Sequence, residues 1–223
     1  MQVERAYEKF LLKANENFET SKIAVDRGRF TLLFNEAQNK MLENILDRKA
    51  DDEYRYIQKL LVKNKEIPRE TSQENLDLFP LPKNYFDFSS AYTKATSKGN
   101  KCTDVKIYLY ELKDDNRVEV VQDEFQNPSF IAREAPFSFT SDKIAVYKED
   151  FKNDSLVLSY YRYPLQIQLI DEEDPESAFN EAFPIEFDDK FTDRIISMAV
   201  SEFEINNSND KFNINKQQSI NKF

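Results

Sequence analysis

The stretch Leu156-Val-Leu-Ser-Tyr-Tyr-Arg-Tyr-Pro164 decides how this chain divides, because it predicts an aromatic β-strand that stops at a proline. An acidic segment, Asp171-Glu-Glu-Asp-Pro-Glu176, comes next. The segment Phe183-Pro-Ile-Glu-Phe-Asp-Asp189 then leads into a run with helical periodicity, from Phe191 to Ile205. The stretch therefore joins a β-rich middle of the chain to a helical end.

Composition predicts a folded protein of one large or two small domains, since the chain has 223 residues. Its mean hydropathy is low, at -0.71. Nevertheless 19 Phe and 11 Tyr supply material for real cores, because each such side chain buries roughly 150–250 Å². The charged residues then lie mostly on the surface, and the composition does not indicate disorder.

The charge balance argues against a protein that grips nucleic acid. The chain carries 41 acidic and 31 basic residues, for a net charge of -10, whereas binding to phosphate backbones depends on clustered Lys and Arg. An acidic surface could still surround DNA without holding it. Ordinary acidic solubility explains the same balance.

Missing residue types exclude several kinds of site. The chain has no His, which excludes His-based triads and His-ligated metals. Cys102 is the only cysteine, so neither an intrachain disulfide nor a cysteine zinc site can form. Gly28 and Gly99 are too few for phosphate-binding loops. The sequence also lacks a signal-peptide core and a membrane-spanning apolar run, so we expect a soluble protein made in a reducing cytoplasm.

The first 65 residues predict three helices. One apolar stripe covers Tyr7 to Phe18 and a second covers Phe30 to Leu46. Arg27-Gly28-Arg29 separates them, because glycine costs a helix interior about 1 kcal/mol. A third run, Asp51 to Val62, opens with acids suited to a helix N-terminus.

The middle of the chain predicts a small antiparallel sheet or sandwich. Residues 64–84 contain three prolines and indicate a polar linker, after which the period changes to two from Tyr85 to Pro164. Val105, Ile107 and Leu109 form the clearest alternation, followed by a polar turn at Lys113–Arg117. Further strand candidates are Val118–Val121, Ser129–Arg133, Phe137–Thr140, Lys143–Tyr147 and Leu156–Tyr163.

The end of the chain predicts a capped helix and a tail. Asp188 or Asp189 can cap the final helix by accepting from its free N–H groups. The helix carries one apolar stripe, which we expect to pack on the N-terminal helices because it has no nearby partner in sequence. Residues Asn206–Phe223 are rich in Asn, Ser and Lys and indicate a flexible tail. The stripe consists of Phe191, Ile195, Met198, Ala199 and Phe203.

The predicted fold class is therefore α+β, with a helical domain into which an antiparallel β-sheet or sandwich domain is inserted. The helical domain comprises residues 1–75 and is completed by the C-terminal helix at 189–206. The β domain covers residues 76–165, and an acidic connector covers 166–188. Residues 207–223 form the tail.

Clusters of carboxylates are the only candidates for metal or acid–base chemistry. Asp171–Asp174 and the pair Asp188–Asp189 could hold Mg²⁺ or Ca²⁺ through oxygen atoms. Neither matches a metal-loop signature, so helix capping and solvation explain them better. Nothing selects two acids for a paired-carboxylate hydrolase. We predict no metal, no cofactor and no catalytic residue.

Two groups of side chains are candidates for contacts with partners. Arg27, Arg29 and Lys22 form a basic trio that could touch phosphate or an acidic partner, although a solvated corner is the simpler interpretation.

Cys102 has no identifiable activating base and is interpreted as structural.

The aromatic strand is the second candidate. Tyr160, Tyr161 and Tyr163 surround Arg162 and could stack on bases or on a peptide. A sheet face with cross-strand aromatic pairs is the simpler interpretation.

The order of three motifs resembles a bacteriophage connector. Leu81-Pro82-Lys83-Asn84-Tyr85 opens the β segment, Ser159-Tyr-Tyr-Arg-Tyr-Pro164 closes it, and Phe183-Pro184-Ile185 precedes the final helix. This order is similar to the head-to-tail adaptor, or tail tubular protein A, family of short-tailed phages. The segment Arg27–Met41 also resembles ring proteins of crAss-like phages of Bacteroides. Asn84 departs from the family, which often carries an acid there.

The resemblance implies a non-enzymatic virion protein that forms a homo-oligomeric ring, typically a dodecamer, between portal and tail. Its partners would be further copies of itself, the portal protein and the next tail or ring protein. Duplex DNA would pass through the lumen without specific binding, and no membrane is involved. The residues expected at the assembly interface are Arg27, Arg29, Tyr161, Arg162 and Tyr163.

Two rival functions stay open at this point. A phage peptide-binding or protein-binding module could use the aromatic sheet to hold its ligand. A metal-dependent hydrolase would instead depend on the acidic clusters.

Overall fold

A computed structural model describes residues 1–16, 25–48, 53–98, 102–112 and 127–220, with side chains up to Asn206. The fold is mixed α+β. The chain divides into two compact units, here called the helical unit (residues 1–59 and 164–223) and the sheet unit (residues 60–163). The described helices are α1 (Val3–Glu16), α2 (Arg27–Arg48), α3 (Tyr54–Ile57) and α4 (Asp189–Ile220), with a 3₁₀ turn at Gln58–Leu60.

Aspartate side chains cap the two long helices. Asp26 Oδ1 accepts from the backbone N–H of Arg29 at 2.6 Å, so α2 begins at the predicted Gly28 break. Asp188 Oδ1 accepts from the N–H of Phe191 at 2.8 Å. The cap of the final helix is therefore Asp188, one of the two predicted residues.

The core of the helical unit is aromatic. The ring of Phe10 lies 5.3 Å from that of Phe30 and 5.9 Å from that of Phe203, and all three are buried. Phe30 also contacts Phe34 along α2. The prediction that the final helix packs on the N-terminal helices is thus confirmed.

The third predicted helix is shorter than its predicted range, and the predicted linker was wrong. Helix α3 has four residues, and the chain is already a strand at Leu61. Residues 64–84 contain most of three strands instead of an irregular linker. The polar run from Lys63 to Glu66 is exposed, as is typical of an edge strand with no hydrophobic alternation to reveal it. Asp51 and Asp52 lie outside the described residues.

One sheet of eight described strands forms the sheet unit, in the order β1-β8-β4-β5-β6-β7-β3-β2. Neighbouring strands are antiparallel except for β5 and β6, which pair in parallel and so depart from the purely antiparallel prediction. The strands are β1 (Leu61–Pro68), β2 (Thr71–Ser72), β3 (Leu76–Pro80), β4 (Tyr85–Ser97), β5 (Val105–Glu111), β6 (Glu134–Thr140), β7 (Lys143–Tyr147) and β8 (Phe151–Arg162).

Individual strand predictions met different outcomes. Strand β7 has the predicted bounds, and Ile107 of β5 is buried as its alternation requires. Ser129–Arg133 is a turn closed by a bridge between Ser129 and Glu134, not a strand. The candidates at 113–117 and 118–121 lie outside the described residues.

The sheet curls until its two edges approach each other. Strands β1 and β2 are the opposite edges, yet only Arg69 and Glu70 separate them in sequence. The Cα atoms of Pro68 and Thr71 are therefore at most about 11 Å apart. Ile67 of β1 and Phe79 of β3 accordingly belong to one buried cluster inside the curl.

A buried polar cluster joins the strands where the sheet closes. Asp77 is fully buried and accepts from Lys148 Nζ at 2.7 Å and from Asn153 Nδ2 at 3.0 Å. Lys148 also donates to Ser72 Oγ at 2.8 Å, and Arg69 donates to the Asn153 carbonyl at 2.9 Å. Removing one member of a buried ion pair costs roughly 3–5 kcal/mol, because the other charge is left buried without a counter-ion.

The acidic connector lacks regular secondary structure. A bridge joins Leu169 to Phe179, and Asp171 and Asp174 accept from backbone N–H groups two residues further on. The backbone of α4 then runs to Ile220, through most of the segment for which composition predicts a flexible tail. Residues 221–223 lie outside the described residues.

Candidate functional site

Two of the sequence-distant motifs meet at one end of the sheet. The hydroxyl of Tyr160 donates to Asn84 Oδ1 at 2.9 Å, and the N–H of Tyr163 donates to the Asn84 carbonyl at the same distance. Tyr85 is the cross-strand partner of Arg162. Strand β4 begins where β8 ends, since the two strands are antiparallel.

A local turn sets the position of Asn84. The N–H of Tyr85 donates to the carbonyl of Pro82 at 2.9 Å, which turns the chain into β4. The amide oxygen of Asn84 then serves as an acceptor for a phenol. A carboxylate oxygen at this position could accept the same hydrogen bond.

The aromatic rings behind this joint are neutral packing groups. The ring of Tyr85 lies 5.8 Å from that of Tyr160 and 6.0 Å from that of Phe139. Burial raises the pKa of Tyr85 well above its usual value, and the nearby Asp87 and Glu111 carboxylates raise it further. The phenol therefore stays protonated at physiological pH and cannot serve as a base.

The three predicted residues of strand β8 differ in accessibility. Tyr161 is buried, Arg162 is half-buried with its Nη1 donating to the Tyr163 carbonyl at 3.0 Å, and Tyr163 is 45% exposed. The Tyr163 ring packs edge-on against Phe86, with centroids 4.7 Å apart. We call Phe86, Arg162 and Tyr163 the sheet-end surface, because they form the accessible part of this site.

Arg27 holds three parts of the helical unit together. Its Nη2 donates to Glu4 Oε1 at 2.9 Å on α1, and its Nη1 donates to the Glu176 carbonyl at 3.3 Å in the connector. Its guanidinium also lies over the rings of Tyr7 and Phe179. The hydrogen bond to Glu4 raises the pKa of Arg27. Arg27 therefore has an internal structural role, which the sequence did not predict.

Arg29 lies at a groove within the helical unit. Its guanidinium carbon is 4.8 Å from the centroid of the Phe203 ring. The groove, here called the α2 groove, has a volume of about 540 Å³ and is bounded by α2 and the connector. Lys22, the third member of the predicted basic trio, lies outside the described residues. The groove is lined mainly by Asp26, Arg29, Leu32, Asn35, Ile167 and Glu172.

Side-chain amides attach the connector to α2, a feature that sequence reasoning missed. Asn35 Nδ2 donates to the Ile167 carbonyl at 3.0 Å, and the N–H of Ile167 donates back to Asn35 Oδ1 at 3.0 Å. Gln38, which is fully buried, donates to the Leu165 carbonyl at 3.2 Å. In the sequence, the only signal of these contacts is that the polar residues Asn35 and Gln38 occur among the apolar residues of α2.

Three acidic residues of the connector serve local structural roles in the described part of the chain. Asp171 and Asp174 form turns, and Asp188 caps α4. Within the described ranges, no three Asp, Glu or Cys side chains gather closely enough to share a metal ion. Cys102 is exposed and precedes the start of β5 by three residues.

No protein-family model matches the chain, and no curated protein resembles it significantly. Among the described residues, no helix combines the length and apolarity needed to cross a membrane.

Proposed function

We propose that this chain is a non-enzymatic structural protein of a bacteriophage virion. It assembles as a homo-oligomeric ring, a dodecamer in the family that it resembles, and links the portal to the tail. In this assignment the helical unit is a domain into which the sheet unit is inserted. The portal protein and the next tail or ring protein are its neighbours.

The contact between Asn84 and β8 is the observation that carries the proposal. The resemblance depends on motifs that lie far apart in sequence, at Leu81–Tyr85 and Ser159–Pro164. Hydrogen bonds from Tyr160 and Tyr163 to Asn84 bring those motifs together. Motifs that contact each other in the fold support the resemblance to the adaptor family better than motifs that lie apart on the surface.

The distribution of charge supports a channel that does not hold DNA. Nine acidic residues and no basic residue occur between Asp171 and Asp189, which accounts for most of the net charge of -10. Most of these carboxylates are exposed. An acidic surface facing the lumen would repel phosphates, and duplex DNA would slide past without adhesive contacts.

Assembly with the portal protein of the same phage tests the proposal. We expect electron microscopy of the mixture to reveal a closed ring stacked on the portal, and native mass spectrometry to give its copy number. The chain alone can stay monomeric, because such rings form on a portal template. A chain that stays monomeric in the presence of portal, or that is absent from purified virions, would contradict the assignment.

A further inference from the structure

The α2 groove combines an apolar wall with an acidic rim. Leu32 is 67% exposed on one wall, while Ile167 and Leu169 are buried beneath the groove. Concave surfaces lined by apolar side chains are where proteins preferentially bind ligands and partner segments.

Acids outnumber bases along the groove, because Asp26 and Glu172 line it against Arg29 alone. Glu172 lines the groove, and it belongs to the segment from Asp171 to Asp189 that has nine acids and no base. Arg29 is the one base among the residues that line the groove, and its guanidinium stacks on Phe203. An occupant of this groove should therefore be apolar and positively charged.

The end of α4 has this chemistry in its sequence. Residues 211–223 contain three Lys and no acid, together with Phe212, Ile214, Ile220 and Phe223. Ile205 is 60% exposed. At about 100° per residue, sequence positions 205, 212 and 220 span an arc of about 80° around a helix. The backbone of α4 is helical through Ile220.

Two other stretches of the chain combine at least three bases with no acid. Residues 54–65 carry four bases, but Ile57 and Leu60 within them are fully buried in the fold. The second stretch is already engaged within the sheet unit. It lies between Asp87 and Asp104. Lys94 pairs with Glu66 at 3.0 Å, and Lys98 Nζ donates to the Glu149 carbonyl. Charge complementarity therefore favours the C-terminal segment.

We propose that the α2 groove binds the C-terminal segment, residues 205–223, of a second copy of this chain. The contact joins two unlike surfaces, and repetition of such a head-to-tail contact closes a ring when the rotation permits. It rests on the proposed ring function and names the surfaces through which neighbouring copies meet.

Titration of a labelled synthetic peptide of residues 205–223 with the full-length protein tests the contact by fluorescence anisotropy. We expect saturable binding that weakens as salt is added, because screening reduces attraction between exposed charges. Leu32→Ser should weaken binding about tenfold or more, since it removes the exposed apolar wall. Leu12→Ser is the matched control, because Leu12 on α1 is 66% exposed and lies outside the groove.

Charge exchange makes the test specific. The carboxylates of Glu172 and Glu173 make no hydrogen bond within the described part of the chain, so Glu172→Lys/Glu173→Lys should not disturb the fold. This variant should lose the natural peptide and should bind a peptide carrying Lys211→Glu and Lys216→Glu. Its control is Glu8→Lys/Glu43→Lys, which makes the same change in net charge on α1 and α2.

Absence of peptide binding at low salt would overturn the proposal. An equal loss of binding in the Leu12 or the Glu8/Glu43 control would do the same, because it would show that residues of the groove have no special part in binding the peptide. If Leu32→Ser still forms a normal ring on the portal, the proposed contact is wrong and the proposed ring function is unaffected. Peptide binding without any ring on the portal would refute the ring function instead.

Discussion

The hydroxyl of Tyr160 on β8 donates to Asn84 Oδ1 at 2.9 Å, although 76 residues separate the two in sequence. Tyr160 is almost fully buried, so its hydroxyl has lost contact with water. The bond therefore fastens the start of β4 to the end of β8, next to the sheet-end surface.

We expect Tyr160→Phe to destabilise the protein by about 1 kcal/mol, the typical net value of one hydrogen bond. Chemical denaturation of the purified protein measures the change. Asn84→Asp keeps an oxygen acceptor and should be better tolerated than Asn84→Leu. Tyr163→Phe is the control, because no hydrogen bond of its hydroxyl is present within the described residues, and an equal loss there would contradict the interpretation.

The closure cluster should be the most sensitive polar site of the sheet unit. Asp77→Asn leaves the buried Lys148 ammonium without its counter-ion, at an expected cost of roughly 3–5 kcal/mol. The double variant Asp77→Asn/Lys148→Met should cost less than the sum of the single variants. Urea denaturation measures all three.

The surface pair of Lys143 and Glu70 provides the comparison. Their N···O distance of 3.0 Å resembles that of the buried pair, but both side chains are partly exposed. Glu70→Gln should therefore cost less than about 1 kcal/mol. Similar losses at Asp77 and Glu70 would show that burial does not set the strength of the cluster.

The sheet-end surface should matter for assembly more than for folding. Arg162→Ala and Tyr163→Ala should reduce the amount of ring on portal particles, because Tyr163 is exposed and both residues flank the Asn84 joint. Particle counts by electron microscopy and thermal unfolding of the free chain separate the two effects.

Tyr108→Ala is the matched control for that experiment. Tyr108 is 57% exposed on strand β5 and should not alter assembly. If Arg162→Ala assembles normally, that residue does not belong to the interface.

Lowering the pH should reduce the free energy of unfolding, partly through protonation of Glu66. The hydroxyl of Ser155, followed by the ammonium of Lys94, holds the pKa of Glu66 below its ordinary value of 4.5. A lowered folded-state pKa contributes stability at pH values above the unfolded pKa, and this stability is lost as pH falls through the folded pKa. Unfolding free energies from neutral to acidic pH should therefore fall less steeply for Glu66→Gln than for the natural chain. Parallel curves would contradict the assignment.

The helices of the helical unit were predictable from local patterns. The apolar stripes of α1 and α2, the Asp188 cap and the buried side of α4 all follow from side chains three or four residues apart. Strands β5 and β7 likewise carry the alternation that predicts them. The candidate site was predictable only in part, since Tyr161 reads as a surface residue in sequence and is buried in the fold.

Strands β1 and β2 were missed because they are the two edges of the sheet. An edge strand such as Lys63–Glu66 gains its hydrogen bonds from a neighbour on one side and exposes its side chains on the other. Proline and charged residues are tolerated there, so the composition looks like that of a linker. Helix α3 was overestimated in the same region because its periodicity continues into β1.

Periodicity along the chain thus determined the α+β class and the aromatic cores, because those signals come from residues within one or two turns of each other. The tertiary structure alone decided the curl of the sheet, the buried pairing of Asp77 with Lys148 and the joint at Asn84. The last two depend on partners that are 71 and 76 residues apart along the chain. The strength of these two contacts depends on a buried, low-dielectric environment, which exists only after the strands have come together.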